Sequence, residues 1–256
     1  MNLKSVLRPL QRLASPLALL ALWQLLSSLG WISDEVIAAP AQILQSFATE
    51  LTEGQLLGNL WVSLGRVLVA ISCALAIGTS LALSAGLSRT GEHVIDPVVQ
   101  ILRSLPFLGL IPLFIIWFGI GEFSKIALIT FGATFPIYLN LYGGLRGVDV
   151  KLIEAGRMLG LNRRQIITSI ALPAALPSFL IGLRYAIAIA WLSLVVVEQV
   201  NASSGLGYMI NDARDFMRTD IILICLCVYG LLGLLSDALI RTLEGRLLAW
   251  RPQVVK

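Results

Sequence analysis

Residues Glu154–Pro173 read EAGRMLGLNRRQIITSIALP. Lys151, Glu154, Arg157, Asn162, Arg163, Arg164 and Gln165 crowd into this part of the chain, and strongly apolar sequence lies on both sides. The stretch is a polar interruption that a bilayer core would not hold. Its spacing predicts a short helix over Glu154–Leu159, a break at Gly160, and a second helix over Arg163–Leu172 capped by Asn162. Pro173 is expected to stop or kink that second helix. Two short helices joined at a glycine, held between membrane spans, form a feature that another protein can grip.

Composition supports the membrane setting. Hydrophobic residues make up 57% of the 256 residues, charged residues 13%, and mean hydropathy is +0.85. Soluble domains carry about 25% charged residues. The expectation is an all-α integral membrane protein, a single transmembrane domain over residues 1–256 with small loops. The net charge of +4 points to basic loops beside anionic membrane lipid. No basic-aromatic patch accompanies it, so nucleic acid is not an expected partner. Cys73, Cys225 and Cys227 lie in apolar runs, and Cys225 and Cys227 fall on nearly opposite sides of a helix. His93, the single histidine, sits in a polar segment, so no metal site is expected.

Taken in order, the chain suggests about six transmembrane helices. The spans are Pro16–Ile32, Leu60–Leu87, Pro97–Gly119 (interrupted by Pro106 and Pro112), Phe123–Leu145 (with Pro136 inside), Pro177–Glu198 and Ile221–Ile240. Pro40 opens an amphipathic helix in which Ile43, Leu44, Phe47 and Leu51 recur at helical spacing, to lie on the membrane surface or against the bundle. Ser88–Asp96 reads as a loop. Gly119, Gly121 and Glu122 read as a tight turn.

Six spans put both termini on one side. That side holds Lys4, Arg8, Arg12, Arg89, Arg103, Arg146, Lys151, Arg157, Arg163, Arg164, Arg241, Arg246, Arg251 and Lys256, against Lys125, Arg214 and Arg218 on the other. The positive-inside rule therefore places the N and C termini, and Glu154–Pro173, in the cytoplasm. Arg66, Arg184 and Glu198 are the ionisable groups within or beside the spans, and such residues are candidates for a pathway by default. Arg66 could snorkel to the outer headgroups or pair with Glu198. Arg184 could face a water-filled anion path or tie two helices. Ser203, Ser204, Gly205, Gly207 and Tyr208 open the outer loop after the fifth span, either a gate or a plain connector. Gly78, Ser80, Ala82, Ser84 and Gly86 are small enough for close helix packing.

Glu154, Ala155, Gly160, Ile170, Leu172 and Pro173 stand at the offsets of a cytoplasmic-loop motif, Glu-Ala-Ala, then Gly, then Ile-x-Leu-Pro. The chain thereby resembles the inner-membrane permeases of bacterial ABC importers. Gly156 departs from the motif's second alanine, which weakens the helix by roughly 1 kcal/mol. Leu102–Gly119, Thr134–Tyr142, Gly182–Glu198 and Asn201–Asp220 extend the resemblance to the permeases of sulfonate, taurine, nitrate and bicarbonate importers, aliphatic sulfonate permeases above all. The resemblance implies a type I importer permease fold in a bacterial inner membrane and an ATPase-coupling loop at 146–173. Its coupling residues would be Glu154, Ala155, Gly156, Gly160, Ile170, Leu172 and Pro173. It further implies a periplasmic loop at 199–220, a second copy of the chain, two ATP-binding cassette subunits that bind ATP and Mg, and a periplasmic substrate-binding protein. The function so implied is ATP-driven import of a small organic anion by alternating access. An aliphatic sulfonate leads; taurine, nitrate, bicarbonate or another small solute is the alternative.

The chain has no Gly-x-x-x-x-Gly-Lys-Ser/Thr loop, so no P-loop nucleotide site is expected in it, and a single loop histidine offers no nucleophile-base or metal set for an intramembrane enzyme. The rival is an ion-coupled secondary transporter. It would require mid-membrane carboxylates, whereas Glu198 lies at a span edge and Asp237 near a span end.

Overall fold

The computed structural model describes residues 3–33, 36–52 and 54–250, with side chains from Ser15 onward except Asn201. Lys4, Arg8, Arg12, Asp34, Glu35, Glu53, Arg251 and Lys256 fall outside the described side chains. The described residues form helices and turns only: α1 (Leu3–Ser28), α2 (Pro40–Thr52), α3 (Leu56–Gly86), α4 (Arg89–Arg103), α5 (Phe107–Phe118), α6 (Glu122–Arg146), α7 (Val150–Met158), α8 (Arg163–Ile166), a π-helical turn (Ile167–Ala171), α9 (Leu172–Asn201), α10 (Leu206–Asp215) and α11 (Thr219–Leu247).

α6 is the centre, packed between α3 and α9. Along α3, Val67, Ala70, Ala74, Gly78, Ala82 and Ala85 recur every three or four residues and are buried, while Leu68, Val69 and Ile77 face outward. Small residues inside and aliphatic ones outside suit a helix with protein on one side and lipid on the other. The α6–α9 crossing is closer still. A Cβ on Gly182 would lie 2.7 Å from the Pro136 carbonyl, so only glycine fits there. α2 lies against the bundle: Ser46 Oγ donates to Asp220 Oδ2 at 2.6 Å, and Ile43, Phe47 and Leu51 pack on the core.

Among the described residues, four helices are long and apolar enough to cross a membrane: Leu56–Gly86, Glu122–Arg146, Arg163–Val200 and Thr219–Leu247. The third expected span is instead two helices, α4 and α5, bent by 103°. Pro106 causes the break: it lacks an N–H and disfavours helical geometry at Leu105. Counted as one span, the pair makes five. The first expected span, Pro16–Ile32, lies in α1, whose helix ends at Ser28. Gly30, at φ +73°, turns the chain, and Trp31 N–H bonds the Leu26 carbonyl across that cap.

The expected loop Ser88–Asp96 is helical from Arg89 onward. Ser88 caps α4 by accepting from Gly91 N–H, and Glu92 sits in the first turn. Tyr142 OH donates to Glu92 and Tyr138 OH to Asp96, at 2.9 and 3.0 Å, so α4 climbs α6 in antiparallel register. By the positive-inside rule Arg103 belongs with the basic end. The α4 helix instead carries it inward, beside residues midway along α6 and α9.

Candidate functional site

The polar stretch folds as a helical hairpin. Asp149 caps α7 by accepting from Lys151 N–H at 2.9 Å. α7 ends in a Schellman motif: Gly160 N–H bonds the Arg157 carbonyl and Leu161 N–H the Gly156 carbonyl. Gly160 has φ +80°, and nothing would touch a Cβ there. The glycine is required by backbone conformation, not by crowding. Asn162 then caps the next helix in a full capping box with Gln165.

Gly156, the departure from the motif, is buried, and a Cβ on it would sit 2.8 Å from Ile170 Cδ1. The motif's two arms meet at this point, with the flexible end of Ile170 against the Gly156 backbone. Pro173 does not stop the helix. The π-helical turn Ile167–Ala171 precedes it, with Leu172 N–H bonding the Ile167 carbonyl, and the wider turn absorbs the donor that proline lacks. Arg163–Val200 is therefore one helix of 38 residues, about 57 Å long.

Glu154, Ala155, Gly160 and Pro173 are exposed, while Ile170 and Leu172 are half-buried. Sequence reasoning passed over Met158 and Leu159, which are 89% and 81% exposed at the hairpin tip. Their signal was available: two large apolar residues directly before a capping glycine. Arg163 Nη2 donates to the Leu87 carbonyl at 3.0 Å and ties the hairpin to the end of α3.

The opposite end holds a buried polar network. Arg66 does not snorkel. It is 4% exposed, with Nη1 2.6 Å from Glu198 Oε1, and Nε and Nη2 each 2.6 Å from a Glu122 oxygen. Glu198 is 1% exposed and also accepts from Ser63 Oγ, Tyr229 OH and Gly207 N–H, at 2.9, 3.1 and 2.9 Å. Lys125 Nζ is 2.8 Å from Glu122.

This network grips the outer loop by its backbone. The Ser204 carbonyl accepts from Arg66 at 2.7 Å, Gly205 N–H donates to Asn59 Oδ1 at 2.8 Å, and Leu206 N–H to Ser63 Oγ at 2.9 Å. The first N–H groups of α10, which no helical carbonyl can satisfy, are thus taken by α3 and α9 side chains. Gly205 has φ +113°, and a Cβ there would strike Glu198 and lie 2.6 Å from Arg66 Nη1. Ser203 alone of the four candidate loop residues is exposed. Asn59, Ser63, Glu122 and Tyr229 carry no sequence signal for this role, because they come from three helices that only the fold brings together.

Arg184 lies apart from that cluster. Its guanidinium is 3.1 Å from Asp237 and 2.9 Å from Glu244, joining α9 to α11 near the basic end. Cys73, Cys225 and Cys227 are free, and no metal-ligand cluster occurs among the described residues.

Residues 74–249 match the family described as the binding-protein-dependent transport system inner membrane component. The chain is 42% identical to the aliphatic sulfonates transport permease protein SsuC of Bacillus subtilis (strain 168), over 92% of this chain and 86% of that one. It is 34% identical to the taurine transport system permease protein TauC of Escherichia coli (strain K12), over 92% and 88%. Among solved structures, the inward-facing MetNI methionine ABC transporter superposes with a TM-score of 0.61 at 21% identity, covering 75% of this chain and 98% of that one.

Proposed function

The chain belongs to the family of binding-protein-dependent transport system inner membrane components, and from that premise we propose that it is the permease subunit of an importer for a small alkyl anion, an aliphatic sulfonate first and taurine second. The protein resides in the inner membrane, and ATP hydrolysis belongs to a separate subunit. Two copies would enclose the path, two ATP-binding cassette subunits with ATP and Mg would dock at 146–173, and a periplasmic binding protein would deliver substrate to the loop at 199–220. The basic hairpin end faces the cytoplasm in this arrangement.

One observation carries the mechanism. The helix Arg163–Val200 begins in the hairpin and ends at the carboxylate that holds the outer loop. A rigid helix about 57 Å long converts a push at one end into displacement at the other. When the cassettes close, the hairpin moves with them and α9 carries the motion to Glu198. The Ser204–Gly207 backbone then shifts relative to Asn59 and Ser63 on α3. Hydrolysis reverses the movement. The coupling needs only a unit with two discrete positions that both ends bias.

Met158 and Leu159 supply the apolar anchor for the cassette, with Glu154 beside them on an exposed surface. The test is the double change Met158→Asp and Leu159→Asp. Both side chains are exposed, so the permease's own thermal stability is expected to hold, while co-purification of the ATPase subunit falls at least about tenfold, as for loss of a hot spot. Normal assembly with normal substrate-stimulated ATP hydrolysis would sink the docking assignment.

A further inference from the structure

Arg103 closes α4 at the bend into α5 and makes no ion pair or hydrogen bond among the described residues. Its depth follows from register. Glu92 meets Tyr142 and Asp96 meets Tyr138, so seven residues further Arg103 stands level with about Phe131 on α6, whose ends are Glu122 and Arg146. Arg103 lines a cavity of about 590 Å³ there, with Phe131, Phe135, Tyr185, Leu192 and Ser193. Arg66, Arg146 and Arg184 each have a carboxylate partner. A guanidinium without one is costly inside a membrane unless water or an anion reaches it.

The rest of the cavity is suited to such an anion. Tyr185 and Ser193 line it, and their hydroxyls are not engaged by another described residue. Asn140, whose amide donates to the Pro136 carbonyl, is the other polar side chain there, and mainly aromatic and aliphatic side chains form the rest of the wall. A planar guanidinium fork matches the oxygens of a sulfonate or carboxylate head group, and an apolar wall accepts a short alkyl tail. Resting on the importer reading above, we propose that Arg103 is the anion-selecting residue of the transport path, binding the head group of an alkanesulfonate in transit while Tyr185 and Ser193 donate to it.

The experiment uses the complete permease–ATPase complex in proteoliposomes with its binding protein and ethanesulfonate. Arg103→Gln is expected to lower uptake roughly tenfold or more, the loss of a charge-assisted contact, and Arg103→Lys to restore part of it. Tyr185→Phe with Ser193→Ala removes only two hydroxyls, spares the fold, and is expected to lower uptake about fivefold. Wild-type import of ethanesulfonate that is undiminished in Arg103→Gln, or equal losses in Arg103→Gln and Arg103→Lys, would overturn the site and leave the importer reading standing. Undiminished import by the hydroxyl variant would overturn their part in it. A wild-type complex that carries only uncharged solutes would overturn both readings.

Discussion

Replacing Glu198 by glutamine keeps the side chain's shape and removes its charge. In the native network both carboxylate oxygens are engaged by Arg66, Ser63, Gly207 N–H and Tyr229. An amide retains one oxygen, so at least one of these donors must face an NH2 group. Breaking a buried charged pair by altering one partner costs about 3–5 kcal/mol. Arg66 keeps Glu122 and the Ser204 carbonyl, which favours the lower figure of about 3 kcal/mol. For a chain of this size that corresponds to a melting temperature about 6–12 °C lower. The assay is thermal unfolding of the purified permease in detergent, followed by the fluorescence of its six tryptophans. A double-mutant cycle sharpens it: Arg66→Gln should cost about 1–3 kcal/mol less in the Glu198→Gln background than in the native one. A Glu198→Gln melting temperature within about 1 °C of native, or strict additivity of the two changes, would refute the claim that this carboxylate holds the network together.

Two further outcomes follow from the hairpin. Gly160→Val forces a β-branched residue to φ +80° and should destabilise by about 1–2 kcal/mol and impair coupled uptake; calorimetry and transport with native values would contradict the Schellman assignment. At Gly156 the size of the substituent decides. Alanine meets only the flexible tip of Ile170, gains about 1 kcal/mol of helix propensity and should be near neutral, whereas leucine overpacks the arms at a cost of about 1–3 kcal/mol, both readable as melting shifts.

Much of this was legible in the residues, because membranes restrict the options. Apolar runs placed α3, α6, α9 and α11, and the spacing of Asn162, Gly160 and Pro40 marked caps, a break and a helix start. Two kinds of feature were hidden. The bend at Pro106 and the continuity through Pro173 both involve proline. Whether a proline breaks a helix depends on local turn geometry, here a π-helical turn at one site and none at the other. The outer network was hidden for a different reason. Arg66 and Glu198 were visible as charges beside apolar sequence, but Asn59, Ser63 and Tyr229 are ordinary polar residues until three helices converge. Arg103 shows the same limit from the other side: charge counting assigned it to the cytoplasmic side, and only the α4–α6 register reveals its depth.

The Arg66 network also bears on how the protein is made. Arg66 leaves the ribosome 132 residues before Glu198 and 56 residues before Glu122. At about 5–20 residues per second, the guanidinium waits roughly 7–26 s for Glu198 but only about 3–11 s for Glu122. Glu122 is thus the first counter-charge available to α3 as it enters the bilayer, and it arrives on the helix that packs directly against α3. Glu198 comes later with α9 and completes the cluster. The order of the two carboxylates along the chain gives α3 an escort during insertion, and a chain lacking Glu122 should keep α3 at the translocon after α6 has emerged, until α9 brings Glu198.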